Sequence, residues 1–322
     1  MYNAPLVVTG ADPAFRADVL RGLRARPRAI PARWLYDQRG SELFEEITLL
    51  PEYYPTRTEM QILEQAGPGL AAQIGPNHAV IEFGAGAATK TRTLLRWLKP
   101  AAWVPIDISG EFLRQSAETL GEEFPDLHIH PVEADFTHPV ALPAAIAGLP
   151  RLGFFPGSTI GNLTAERAVD LLRDMRATLG LGARLLIGMD RLKSPDVLIA
   201  AYDDAQGITA DFNRNLLVRI NRELDGGIPV DAFRHVALWN DAAARIEMHL
   251  EAMRDVRFSV AGEEFAISTG ETIHTENSHK YSPRSARFLL RAGGFIPAAE
   301  WTDDQDQFAL LLAEAQETRH AP

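Results

Sequence analysis

Three acidic residues stand where an α/β sheet would end its first three strands, and two glycines stand beside the first of them. In the stretch 78–91 the apolar run Ala79, Val80, Ile81 leads to Glu82, then to Gly84 and Gly86. A helical pattern follows from Thr89, with Leu94, Leu95 and Leu98 as its apolar side. Glycines at such a turn let the backbone bend sharply and lie close to a ligand. In an open parallel sheet, ligands bind just past the carboxyl ends of the strands, beside such a turn. Asp107 closes the next apolar run, 23 residues after Gly84, where a carboxylate can accept a hydrogen bond from a ribose hydroxyl. Asp135 closes the third, and Phe136 follows it with a ring to stack on a base. The chemistry these residues suit is the binding of a nucleoside-bearing cofactor. A dinucleotide fingerprint wants glycine or alanine five positions after the first glycine, and Thr89 stands there instead.

Positioning these residues requires alternating strands and helices. The pattern predicts strands over 78–83, 103–107, 127–135, 152–155 and 183–190, with helices over 88–98, 110–121 and 165–179 between them. A short helix is expected at 143–149. Such alternation implies βαβ units and a parallel sheet. Two closing strands, 295–301 and 308–312, follow a helix that starts after Ser282-Pro283, so the last strand is expected to run antiparallel. Before the sheet, Asp12-Pro13 starts a helix to about Arg24, behind a loose arm. Ser41 has the character of a cap for the helix that includes Phe44 and Ile47. Leu50 to Glu59 holds paired tyrosines between two prolines; it is expected to be rigid and non-helical, with Thr58 capping a helix from Glu59 to about Ile74.

Past Lys193 the alternation stops. A helical region spans 196–224 with a break near Gln206-Gly207, and 233–277 is rich in strand patterns, with Ile246, Met248 and Leu250 on one face. The expected architecture is α/β: a Rossmann-like sheet with an antiparallel last strand, plus a second α+β domain. Residues 59–192 and 281–322 would form the cofactor domain, and 1–58 and 193–280 the substrate-recognition domain.

Composition narrows the function classes. The 322 residues are 46% hydrophobic and 23% charged, as a folded chain requires. A formal net charge of -11 argues against nucleic acid as a partner and weakly against an anionic membrane surface. There are no cysteines, hence no disulfide and no thiolate nucleophile or ligand. No leader pattern opens the sequence and no run approaches about 18 apolar residues, so a cytoplasmic protein is expected, for which a monomer would suffice. His128 and His130 share a strand face, but no His-Glu-x-x-His pattern occurs, and no metal is expected.

The arrangement Glu82-Phe-Gly84-Ala-Gly86 resembles the first motif of class I S-adenosylmethionine-dependent methyltransferases. Four further stretches narrow the resemblance: 50–59, 155–164 around Asn162, Ala201 to Ala205, and Thr275 to Ser278. In order and spacing, over nearly the whole chain, they are similar to the histidine Nα-methyltransferases of ergothioneine biosynthesis. That resemblance implies three successive methyl transfers from S-adenosylmethionine to the α-amine of L-histidine, giving hercynine. It implies cofactor contacts at Gly84, Gly86, Lys90, Asp107, Asp135 and Phe136. Tyr53, Asn162 and Tyr202 would hold the substrate carboxylate and frame the amine, Met248 would wall the pocket, and Glu276 with Ser278 would read the imidazole. Tyr36 and Tyr53, or water held by them, would take the amine proton. The turn departs from the family in carrying alanines where serine or threonine is common. Other readings are another amino acid or small amine as acceptor, a nicotinamide-dependent oxidoreductase, which Thr89 disfavours, and a non-catalytic binding module.

Overall fold

A computed structural model describes residues 12–85 and 89–317, apart from the side chain of Phe112. The chain divides into two compact units, one of residues up to Tyr54 with Ser194–Ser278, the other of Pro55–Lys193 with the residues from His279 onward.

The second unit is built on an eight-stranded sheet. In spatial order seven strands are Phe295–Thr302, Phe308–Ala315, Arg184–Asp190, Arg151–Phe155, Ala79–Phe83, Ala102–Asp107 and His128–Ile129; the eighth, Val132–Glu133, also pairs with Ala102–Asp107. The strands before residue 191 are mutually parallel, while Phe308–Ala315 runs antiparallel to both of its neighbours. Helices on both faces explain why the strands are continuous apolar runs: every residue of Ala79–Phe83 is buried. Thr89–Leu98 buries Leu94, Leu95 and Leu98, the side expected from its spacing. Ala165–Leu179 is capped by Thr164, whose hydroxyl accepts from Arg167 N, and is stopped by Gly180 at φ 89°. The antiparallel last strand is as expected.

Two local expectations fail here. The third strand is two short pieces, His128–Ile129 and Val132–Glu133, because Pro131 between them has no N–H to donate to the ladder. Residues 51–53 are non-helical as expected, but 54–59 are helical and Thr58 does not cap: the helix runs from Tyr54 to Ile74. Pro55 sits in its first turn, where the missing N–H costs nothing and the fixed φ suits the helix. Pro68 lies farther inside the same helix.

The first unit has a four-stranded sheet in the order Arg28–Ala29, Thr272–His279, Arg245–Ala252, Phe233–Asn240, and a hairpin of Val256–Val260 with Glu263–Ile267. Ile246, Met248 and Leu250 are all at most 1% exposed, on the face their alternation marks. Helix Ile208–Glu223 contributes Phe212, Leu216, Leu217 and Ile220 to the same core. Its first turn is held by Asp204, whose two carboxylate oxygens accept from Ile208 N and Thr209 N at 3.0 and 2.8 Å. Helix Pro13–Arg24 starts as expected, with Asp12 as cap. The next helix, Gln38–Thr48, starts before Ser41: Asp37 is the cap and accepts from Gly40 N at 2.8 Å. Gly40 lies against the Leu35 carbonyl, a place with no room for a Cβ. Among the described residues no helix is long and apolar enough to cross a membrane.

Candidate functional site

The second unit carries the cofactor candidates at the carboxyl ends of its strands. Gly84 has φ 75°, and its N–H reaches the Ile106 carbonyl at 2.9 Å. The Phe136 ring lies over it, 3.3 Å from where a Cβ would stand. Phe136 also packs edge-on against Phe83 and Phe155, with centroids 6.3 and 6.0 Å away. Asp107 ends its strand half-buried, one oxygen accepting from Ser109 N at 2.9 Å; burial raises its pKa. Asp135 is exposed and accepts from Thr137 N at 2.9 Å and its hydroxyl at 2.6 Å. Lys90, in the first turn of its helix, is ion-paired with Glu59 at 2.5 Å. Gly86 lies outside the described residues.

Glu82, the acid before the turn, is buried and accepts from the Thr91 hydroxyl at 2.7 Å and from the Trp103 indole at 2.9 Å. Burial pushes its pKa up to about 7 against those two donors. A strand end with a positive-φ glycine, an aromatic ring against it and a carboxylate on the next strand fits an adenosine-bearing cofactor.

The same unit presents Asn162. The turn before it runs through Gly157 at φ 81° and Ser158 at φ 55°, then a 3-10 turn, Thr159–Asn162. Ser158 Oγ accepts from Asp190 N at 2.9 Å, and Gly161 N donates to Ser158 O at 2.8 Å. His279 Nδ1 donates to the Gly161 carbonyl at 2.8 Å. Behind it, buried Asp190 holds Lys280 and Lys193 at 2.7 and 2.6 Å. Burial alone would raise the Asp190 pKa, and the two ammonium groups hold it below the ordinary value instead.

The first unit gathers the remaining candidates. Tyr202 Oη and Ser278 Oγ share a hydrogen bond of 2.7 Å. Glu276 and Ser278 are both buried, two apart on strand Thr272–His279, as an i, i+2 pair should be. Tyr53 packs edge-on to Tyr202 at 6.3 Å and to Phe44 at 6.0 Å. Tyr36 contacts Phe44 and Phe212 at 5.5 and 5.4 Å. Although 37% of Tyr36 is exposed, burial of its hydroxyl end pushes the phenol pKa well up, and the neighbouring Glu276 charge adds to this. A phenol so placed stays protonated; it can give and take hydrogen bonds but is a poor phenolate base. Met248 is 1% exposed, with its carbonyl accepting from the Thr275 hydroxyl at 3.0 Å.

Tyr202 is also held through its backbone. His235 Nε2 donates to the Tyr202 carbonyl at 2.7 Å, and His235 Nδ1 accepts from Asn213 Nδ2 at 2.9 Å. Asn213 Nδ2 donates as well to the His249 carbonyl at 3.1 Å. One ring nitrogen gives and the other takes, so the imidazole is neutral and in a single tautomer. Burial lowers its pKa, in agreement.

Residues 15–315 match the family described as histidine-specific methyltransferase, SAM-dependent. The chain belongs to that family. It is 40% identical to the histidine N-alpha-methyltransferase of Mycolicibacterium smegmatis over 314 residues, 96% of this chain and 97% of that protein. The Mycobacterium tuberculosis enzyme of the same name is also 40% identical, over 307 residues, 93% and 94% of the two chains. The ergothioneine biosynthesis protein 1 of Neurospora crassa is 28% identical over 300 residues, 90% of this chain but 34% of that longer protein.

This methyltransferase therefore uses S-adenosylmethionine, and the nicotinamide reading falls. Several side chains at its two half-sites carried no sequence signal of their own. Phe44 and Phe212 complete the aromatic wall, yet each sits in an amphipathic helix where it reads as core. His235 and Asn213 face each other from residues 22 apart in sequence. Glu247, His249 and His274 bring possible ligand atoms within 4.8 Å of one another. The two imidazoles are stacked at 4.7 Å and 16°, so their in-plane lone pairs do not converge, and Arg245 holds the Glu247 carboxylate at 2.7 Å.

Proposed function

We propose that this methyltransferase places three methyl groups in succession on the α-amine of L-histidine, yielding hercynine for ergothioneine biosynthesis. The observation that carries this reading is the cluster of Tyr36, Tyr53, Tyr202, Glu276 and Ser278 in one unit, an amphiphilic pocket lining with a carboxylate at one end. The unit of Pro55–Lys193 and the residues from His279 would serve the cofactor and supply Asn162, and the other unit would supply the remaining acceptor contacts.

S-adenosylmethionine supplies a sulfonium methyl for in-line displacement; the residues supply alignment and electrostatics. Gly84, Gly86, Lys90, Asp107, Asp135 and Phe136 would hold it. Asn162, Tyr53 and Tyr202 would fix the substrate carboxylate and amine. Glu276 accepts an imidazole N–H and Ser278 meets the other ring nitrogen, two contacts that the phenyl ring of phenylalanine cannot make. The amine loses its proton to solvent or to water held by Tyr36 and Tyr53, since an α-amine with a reference pKa of roughly 8 needs no strong base. As methyls accumulate, the rings of Tyr36, Tyr53 and Tyr202, with Phe44 and Phe212 behind Tyr36, present π faces to the growing cation. The same reading places the enzyme in the cytoplasm.

Mass spectrometry of each of the twenty amino acids incubated with enzyme and S-adenosylmethionine tests it. Histidine should gain one, two and then three methyl groups on the α-nitrogen. Methylation of a different amino acid, or of a ring nitrogen, would overturn the assignment.

A further inference from the structure

Glu59 is fully buried, in the helix that starts at Tyr54, and is not itself a candidate ligand contact. Its Oε2 lies 2.5 Å from Lys90 Nζ. Both of its oxygens accept from the Gly157 N–H, at 3.0 and 2.9 Å. Opposite, Gly188 leaves a notch: a Cβ there would overlap Glu59 Oε1. Burying a carboxylate costs several kcal/mol unless it is paired and hydrogen-bonded, and here one cation, one backbone donor and one missing side chain are fitted to it. Lys90 is a candidate cofactor contact, and Gly157 opens the turn that ends at Asn162, a candidate substrate contact.

We infer that Glu59 is a positioning residue that fixes Lys90 and the 157–162 turn against each other, so that one carboxylate sets both the donor-side cation and the acceptor-side amide. The inference rests on the roles proposed for Lys90 and Asn162. A lysine ammonium carries three donors on a flexible four-carbon stem. Glu59 takes one donor and stops the stem from swinging, which leaves two aimed at a ligand. At the same time it straightens the approach to Asn162 by holding the first N–H of a turn whose backbone is otherwise left-handed at two successive residues.

Replacing Glu59 with Gln keeps the volume but sets an amide N–H against either the Lys90 ammonium or the Gly157 N–H. Calorimetry with S-adenosylhomocysteine should show about tenfold weaker binding for Glu59→Gln. The KM for histidine should rise as well, while the Tyr202 side of the acceptor pocket is untouched. In a Lys90→Met background the same Glu59→Gln change should shift cofactor affinity less than about twofold, because the partner is already gone. Gly188→Ala, which displaces the carboxylate with every charge in place, should imitate Glu59→Gln, and it carries the test if that variant does not fold. Unchanged S-adenosylhomocysteine affinity in the folded variants, or an equal loss with and without Lys90, would overturn the inference. S-adenosylhomocysteine binding needs no acceptor, so a failed histidine assignment would leave this result standing.

Discussion

The two half-sites are made in different ways. The cofactor half is backbone and strand ends: a positive-φ glycine, Asp107 and Asp135 each tied to an N–H two residues on, and an aromatic ring over the turn. The acceptor half is side chain on side chain. Tyr202 meets Ser278, Tyr53 packs against Tyr202, and His235 and Asn213 hold Tyr202 from behind. The first is generic, since any adenosine presents the same ribose and base. The second is particular, since only its side chains decide which amine is accepted. Apart from Glu59, inferred to link the two, a change on one side should therefore move one ligand and not the other.

The largest separation is expected at Glu276. Glu276→Ala should raise the histidine KM about a hundredfold, by removing a charged acceptor and leaving an imidazole N–H unpaired, with S-adenosylhomocysteine affinity within about threefold of wild type. Comparable loss of both affinities would erase the distinction between the halves. Asp107→Ala is the reciprocal case. One charge-assisted hydrogen bond to a ribose corresponds to about a tenfold loss of cofactor affinity, and isothermal titration should find histidine binding to the unliganded enzyme unaltered. Smaller still is Asn213→Ala, which frees the His235 ring and lets Tyr202 drift; about a three- to tenfold rise in histidine KM is expected, with kcat nearly kept.

The smallest effect is a difference in the sign of pH dependence. Glu82, in the cofactor half, has its folded pKa raised from 4.5 to about 7 by burial, so the folded state holds the proton longer than the unfolded one. It opposes folding increasingly as pH rises from about 4.5 to 7. His235 and His274, in the acceptor half, are lowered from 6.5, chiefly by burial. They oppose folding as pH falls below 6.5, because the unfolded state takes the proton first. The two contributions partly cancel in the wild type. Melting curves of Glu82→Gln should therefore tilt toward greater stability gain with rising pH. Those of His235→Gln should tilt the other way, by a few degrees between pH 5 and 7. Parallel curves for wild type and both variants would show that neither group is protonated as its burial demands.

The contrast also explains what could be read from the chain. Glu82, Gly84, Asp107 and Asp135 are local punctuation at the ends of apolar runs, and period and spacing find them without help. Tyr36, Tyr53, Tyr202, Glu276 and Ser278 come from four separate stretches, and as residue types they are ordinary core aromatics and strand polars. Only the resemblance singled them out. Strand Thr272–His279 lies in the region read as β-rich, but its bounds are not marked by its sequence, which has Ile273 as its one apolar residue; its neighbours Arg28–Ala29 and Arg245–Ala252 pair with it. The tyrosine pair after Leu50 misled for a physical reason: proline in a first helical turn and proline in an extended segment have the same φ. His235 and Asn213 could be found only once the strand and helix that carry them were packed together.

The strand Phe308–Ala315 has a consequence for how the enzyme is made. It is the last strand among the described residues, yet it lies inside the sheet, between Arg184–Asp190 and Phe295–Thr302. Of its eight residues seven are buried. Until the ribosome has released this segment, the Arg184–Asp190 edge stays open, with an apolar sequence and unpaired backbone groups that invite pairing with another chain. Residues Ser194–Ser278 and those up to Tyr54 are by then already synthesised, and together they form a unit with its own core. The acceptor-side core thus needs nothing from this strand, whereas the cofactor-side sheet is completed only by it.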